Sequence, residues 1–448
     1  MKVFNSNLIK NQPQTKKIRP KTQKEILRNE NIQDLPKLNK SSDLINNKSS
    51  DLINRGSIVF EDYKGKIKHL LVFLPASLLV KFENSLGDKM LNVYKILFEK
   101  MKDTKFTFVV NEENALTQSL EQIAKENKTD IDIITSPYAL DYWARDYFVP
   151  LKNPDGTTTL FVGYRYEALK NSYRHLVGEK IGKILAEKYP YIKLEVNKNL
   201  ALEGGDIISN IKHAFVGFRA IEKTASLLLK QPEVLATEIA INQATEVLSK
   251  LLNKQVVPYG KDDPQTPLKE KPPTFHIDMG VAPIDDNTLL VGDIKLALDI
   301  IKELSDEERK KLEKDLNESS KPIGQFSLSY LENLQYEEIQ ANFNSIAQQY
   351  EKLGYRVIRI PYIPGKLDKR PYYPYITYTN GLIETFIDEK GKLIKRVFMP
   401  SYHELLDRYA EEIYKKEGFE VIKLPLAHLT ALAGAIRCNT QVLKREEK

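Results

Sequence analysis

In 448 residues there is one cysteine, Cys438, and one tryptophan, Trp143. A lone thiol cannot be half of an intrachain disulfide, so a disulfide-built secreted domain is not expected and any chemistry at Cys438 is that of a free thiolate. No run approaches the ~18 apolar residues of a membrane span. The first residues, Met1-Lys2-Val3-Phe4-Asn5-Ser6-Asn7, lack the apolar core of a secretory signal. A cytoplasmic location with no membrane partner is the expectation. Glycine and proline are ordinary, and 42% hydrophobic residues supply a substantial core.

The net charge of +6 suggests nucleic acid until it is located. Residues 1–55 carry twelve Lys/Arg against five Asp/Glu, which is the whole excess, and the rest of the chain is nearly neutral. No nucleic-acid partner is expected. Residues 1–56 read as a flexible basic leader rich in Asn, Lys, Gln and Ser. Within it Lys40-Ser41-Ser42-Asp43-Leu44-Ile45-Asn46 recurs as Lys48-Ser49-Ser50-Asp51-Leu52-Ile53-Asn54. Residues 57–448 form the folded unit.

From Ser57 onward strand and helix patterns alternate, which predicts an α/β fold. Tyr355-Arg356-Val357-Ile358-Arg359-Ile360-Pro361 and Phe419-Glu420-Val421-Ile422-Lys423-Leu424-Pro425 are near copies, each preceded by glycine and a helical stretch. That recurrence predicts a repeated α/β module. Lys302–Lys321, dense in charge, reads as an exposed helical insertion within about residues 302–335.

Four segments carry polar chemistry. His276-Ile277-Asp278 reads as strand, where residues i and i+2 share a face, so an imidazole and a carboxylate would stand side by side. With His403 or His428 the same pair would also fit the ligand pattern of a facial-triad iron site, normally found in an all-β fold. Glu203-Gly204-Gly205-Asp206 places carboxylates around a pair of glycines that allow close backbone approach. Asp146 stands between Trp143-Ala144-Arg145 and Tyr147, either in a salt bridge to Arg145 or in an aromatic-walled pocket for a cation. The fourth is Cys438 in Gly434-Ala435-Ile436-Arg437-Cys438-Asn439-Thr440.

Together these residue types suit a guanidinium. It keeps its charge at physiological pH, and its planar N–H fork matches carboxylates. Its central carbon is a poor electrophile, for which a thiolate is a better nucleophile than a hydroxyl.

With Trp143–Pro150, Glu203–Asp206, His276–Asp278, Tyr378-Thr379-Asn380-Gly381 and the segment around Cys438 in this order, residues from about 57 to 445 resemble the guanidino-group-modifying enzymes. The resemblance is to the branch uniting agmatine deiminases with Porphyromonas-type peptidyl-arginine deiminases. It implies a five-fold pseudosymmetric α/β propeller and a deiminase needing no metal or organic cofactor. In the implied roles Asp146 and Asp278 clamp the guanidinium, Cys438 attacks its carbon, and His276, oriented by Glu203, moves the protons. Trp143, Arg145, Arg165 and Asn380 are the further substrate-binding candidates, Arg165 for a substrate carboxylate, and Arg437 could assist the thiol. The glycine-rich run and histidine that precede the cysteine in agmatine deiminases are here Leu432–Arg437, so the expected substrate is arginine within a peptide or protein. Agmatine, free arginine and amidinotransfer to an amine remain as alternatives, as does a non-catalytic guanidine-binding protein.

Overall fold

The computed structural model describes residues 56–76, 85–165, 173–229, 238–260, 272–366 and 372–447. The tandem repeat and the leader through residue 55 lie outside the described residues. No helix is long and apolar enough to cross a membrane among the described residues.

The chain opens with β1 (Ile58–Val59), β2 (Lys66–Leu74), α1 (Leu86–Lys100), β3 (Lys105–Val110), α2 (Ala115–Asn127) and β4 (Ile131–Thr135). Next come β5 (Val149–Lys152), β6 (Thr158–Tyr164), α3 (Tyr173–Lys188) and β7 (Ile192–Ala201). They are followed by β8 (Ile207–Ser209), β9 (His213–Gly217), α4 (Phe218–Leu228), α5 (Glu238–Leu252) and β10 (Gln255–Tyr259). A longer stretch holds β11 (Val281–Pro283), β12 (Thr288–Asp293), α6 (Ile294–Lys302), α7 (Asp306–Ser320), α8 (Leu328–Glu332), α9 (Glu337–Lys352), β13 (Arg356–Ile363) and β14 (Ile376–Thr377). The last is β15 (Leu382–Ile387), β16 (Leu393–Ser401), α10 (Glu404–Lys416), β17 (Glu420–Pro425) and β18 (Thr440–Glu446).

Among the described residues these strands form five sheets, ordered β1-β5-β6-β7, β10-β9-β8, β11-β12-β13-β14, β15-β16-β17 and β18-β2-β3-β4. One unit recurs in all five. Two strands pair antiparallel, the chain crosses over through helix, and a third strand pairs parallel to the second. Helical crossovers are the short way to join parallel neighbours, and they cover the sheet face they cross. The two near-copied strands occupy the same place in successive units, as β13 and β17. In the unit built on β2 and β3 the first strand is β18, so the C-terminal strand pairs antiparallel with β2.

Local sequence accounts for the elements. β2, Lys-Ile-Lys-His-Leu-Leu-Val-Phe-Leu, is buried from Leu70 to Leu74. α10 buries Leu405, Leu406, Ala410 and Tyr414 on one side, each large side chain contributing about 1.5–3 kcal/mol. Ser305 and Glu308 close a reciprocal capping box at the start of α7, and Asn114 and Thr117 do so for α2. α7 differs from the exposed helix expected. Its Leu312 and Leu316 are fully buried in a core with α6, α9 and β13, because two leucines four apart suffice to seat an otherwise charged helix. The Lys89 ammonium meets the carbonyls of Glu318, Ser319 and Lys321 at its C-terminal end, at 3.3, 3.0 and 2.6 Å.

Candidate active site

Each unit's first strand is entered through a polar segment. Ala144–Tyr147 leads into β5, Gly204–Asp206 into β8, Ile277–Met279 into β11, Thr379–Gly381 into β15, and Ile436–Asn439 into β18. All but the fourth are single helical turns, and neighbouring turns pack against one another. His276-Ile277-Asp278 is therefore not the strand expected. His276 is extended, with φ −124° and ψ 145°, and the chain then tightens into a turn at Ile277. Alternation of polar and apolar residues does not distinguish that bend from a strand.

Cys438 is 2% exposed. Its sulfur lies 3.6 and 3.9 Å from the Asp278 carboxylate oxygens and accepts from the Asn380 amide nitrogen at 3.1 Å. The Asn380 carbonyl oxygen accepts the backbone N–H groups of Ala435 and Cys438 at 3.1 and 3.2 Å. Burial pushes the thiol well above its ordinary range, and the Asp278 and Asp146 carboxylates push it further; Asn380 and Arg437 act in the opposite sense. With nothing bound, the thiol holds its proton.

His276 sits among acids. Its Nε2 is 3.1 Å from Glu203 Oε2 and its Nδ1 3.7 Å from Asp146 Oδ1. Burial disfavours the imidazolium, yet Asp146, Glu203 and Asp206 outweigh it and hold the pKa well above the ordinary value. Glu203 is fully buried, and burial by itself pushes its pKa up. Arg165 prevents this: its Nε is 3.1 Å from Glu203 Oε1, and its guanidinium stacks on Tyr147, 4.2 Å from the ring centroid. Glu203 is held below its usual range by Arg165 first and His276 second. Burial drives the Asp146 carboxyl up to about 7 despite His276 and Arg165.

Asp146 is not paired with Arg145. Arg145 donates from Nε to the Gly204 carbonyl at 3.0 Å and points Nη2 toward Asp62 at 3.4 Å. Asp62 also receives Arg437, 2.7 Å away, while the other Arg437 terminal nitrogen meets Asp278 Oδ2. The burial of Asp62 is outweighed by Arg437 and Arg145, which keep it ionised, and burial brings Arg145 down to about 10. This line from Cys438 through Asp278 and Arg437 to Asp62 and Arg145 includes one residue, Asp62, that no motif marked.

Gly205 has a steric reason. A Cβ there would stand 2.5 Å from His276 Nδ1 and 2.8 Å from Asp146 Oδ1. Likewise a Cβ at Gly434 would stand 2.5 Å from the Trp143 ring, so the tryptophan packs directly against the segment leading to Cys438. The structure thus brings Asp146, Glu203, His276, Asp278, Asn380, Trp143 and Cys438 together, with Arg145 and Arg165 as buried cations at their back. The third ligand of a facial-triad site is not brought to His276 and Asp278. His403 caps α10 and faces Asp315, and His428 lies against Met90 Sδ. Among the described residues no group of three or more His, Cys, Asp or Glu side chains is placed to hold a metal ion.

No family model matches the chain, and no curated protein matches it by sequence. Solved structures do match. The agmatine deiminase of C. jejuni superimposes with a TM-score of 0.57 at 15% identity, over 88% of this chain and 99% of that one. For the agmatine deiminase of Enterococcus faecalis the TM-score is 0.54 at 13% identity, over 89% and 97%. A candidate peptidyl-arginine deiminase gives 0.56 at 16%, over 88% and 100%. With identities this low the likeness is one of architecture, and on that ground the mixed α/β chain has the fold of the agmatine deiminases.

Proposed function

We propose that the protein is a cysteine-dependent deiminase that converts the guanidinium of an arginine-like substrate to a ureido group and ammonia. The observation that carries this reading is the placing of the Cys438 sulfur 3.6 Å from Asp278, in a site where His276 is held 3.1 Å from Glu203. The same reading arranges the five units as blades of a pseudosymmetric propeller with the five polar segments at its centre.

The guanidinium enters between Asp146 and Asp278, pairing two charges that had opposed ionisation of the thiol. Cys438 gives up its proton to solvent as the substrate binds, and the sulfur attacks the guanidinium carbon, forming a C–S bond as one C–N π bond opens. His276 gives a proton to the departing nitrogen as the C–N bond breaks, leaving a thiouronium on Cys438. The now neutral imidazole takes a proton from water, whose oxygen attacks the same carbon. The C–S bond then breaks as the hydroxyl proton leaves, giving the ureido product, and the sulfur takes a proton back to restore the thiol. Glu203, ionised by Arg165, keeps the imidazole turned toward this chemistry.

Arg165 serves as the counter-ion of Glu203 in this scheme, not as a receptor for a free carboxylate. That favours a substrate without a carboxylate beside its side chain, arginine inside a peptide first and agmatine second. The deciding assay measures ammonia and ureido product from an arginine peptide, agmatine and free arginine, each with wild type and Cys438→Ala. Turnover confined to wild type supports the reading, and turnover retained by Cys438→Ala discards it. A parallel run with an acceptor amine separates hydrolysis from amidinotransfer.

A further inference from the structure

Arg437 and Asp62 have no step in the chemistry above, yet together they reach the carboxylate that this chemistry sets on the substrate. Arg437 Nη1 donates to Asp278 Oδ2. On its other side Nη2 donates to Asp62 Oδ1 at 2.7 Å and to the Ile207 carbonyl at 2.8 Å. Its Nε lies 3.3 Å from the same Asp62 oxygen. Asp62 is in turn fastened to the fold. Its Oδ2 accepts the Ser209 N–H at 2.7 Å, and its own N–H donates to the Ser209 carbonyl at 2.9 Å. Its carbonyl accepts from Arg445 Nη2 at 2.7 Å.

A guanidinium that faces one carboxylate favours a bidentate fork, two parallel N–H···O contacts. Arg437 makes no such fork with Asp278. It is stretched between two carboxylates and gives Asp278 a single nitrogen. Asp278 Oδ1 is left with one neighbour among the described residues, the Cys438 sulfur at 3.9 Å. We infer that Asp62 is a positioning residue for substrate binding: by holding Nη2 and Nε of Arg437 it keeps that guanidinium from closing over both oxygens of Asp278, and so reserves Oδ1 for the guanidinium of the substrate. The Ile207 carbonyl holds the same Nη2, but a neutral acceptor is a weaker competitor than a carboxylate. Without Asp62, Arg437 becomes a resident mimic of the substrate. Only the fraction of molecules in which it stands aside then binds, and apparent affinity falls by that fraction.

This role rests on the deiminase reading, but its first test needs no turnover. In a crystal structure of Asp62→Ala, two nitrogens of Arg437 meet the two oxygens of Asp278; an Arg437 that keeps its single contact overturns the proposal. The second test is kinetic. With an arginine peptide and with agmatine, Asp62→Ala raises KM about tenfold and changes kcat far less, because the competitor acts on binding. An unchanged KM overturns the proposal, whatever happens to kcat. The third test is a double-mutant cycle with Arg437→Met, which removes the competitor. Asp62→Ala then adds no further rise in KM, whereas an equal rise in both backgrounds overturns the route through Arg437. Where Asp62→Ala does not fold, the isosteric Asp62→Asn carries the same three tests, with KM up about threefold. Absence of turnover in wild type counts against the deiminase reading instead and leaves the crystal structure to decide.

Discussion

Asn380 holds Cys438 at both ends, its amide nitrogen 3.1 Å from the sulfur and its carbonyl oxygen 3.2 Å from the backbone nitrogen of the same residue. One side chain thereby fixes the turn carrying the thiol and supplies a donor to the sulfur as charge develops. Asn380→Ala removes both contacts, and kcat is expected to fall about 100-fold. Asn380→Asp is the sharper variant, because it places a carboxylate beside the thiol and raises its pKa further. The rate of Cys438 alkylation by iodoacetamide at pH 8, slower in Asn380→Asp than in wild type, checks this directly.

The acid limb of activity follows Asp146. Its carboxyl is raised to about 7 by burial, and a guanidinium binds only the anion. kcat/KM is therefore expected to rise as pH increases through about 7. In the complex the guanidinium favours the anion, so the limb of kcat lies at lower pH than that of kcat/KM. The basic limb follows loss of the His276 proton, well above the ordinary imidazole range. Coinciding acid limbs in the two profiles would remove Asp146 as the group responsible.

Arg165→Met strips the cation from Glu203. A buried carboxylate left without its partner costs about 3–5 kcal/mol, and protonating it recovers part of that. The sign is set by Glu203: its folded pKa is depressed in wild type, so its contribution is present above the unfolded value and lost as pH falls through the folded one. In Arg165→Met the depression is gone. Urea unfolding should show a deficit against wild type that is larger at pH 8 than at pH 5.

Two glycines make a controlled pair. Gly205→Ala puts a methyl into His276 and Asp146, so activity is expected to vanish in a protein that still melts cooperatively. Gly391, in the turn between β15 and β16, has φ +78° and open space around its Cβ position. Gly391→Ala should lower stability by about 1 kcal/mol through backbone strain and leave kcat alone. Thermal melts and ammonia assays on both variants give the comparison.

Stretches of sequence that repeat were legible as structure. The copies at Tyr355–Pro361 and Phe419–Pro425 fall on equivalent strands, and the alternation of periods marked most helices to within a few residues. The candidate site was legible as residue types, since Cys438, His276 and the acids around them meet in one place. What joins them was not. Asp62 and Arg437 are 375 residues apart, and Arg165 reaches Glu203 across 38. Ion pairs of that kind leave no local period, only a charged residue inside an otherwise apolar neighbourhood. The exposed look of α7 misled for a related reason, because two leucines, Leu312 and Leu316, seat a strongly charged helix in the apolar core.

The antiparallel pairing of β18 with β2 makes the two ends of the fold a clasp. During synthesis β2 and β3 leave the ribosome with an unfilled edge, which stays open until β18 (Thr440–Glu446) follows. Cys438 stands at the entrance to that strand. The thiol therefore reaches Asp278 and Asn380 only when the clasp shuts, and a chain in which β18 is unpaired holds the acids of the site without Cys438 beside them. Sequence-distant pairing of this sort slows folding. Here it also ties the placing of Cys438 to the pairing of β18 with β2.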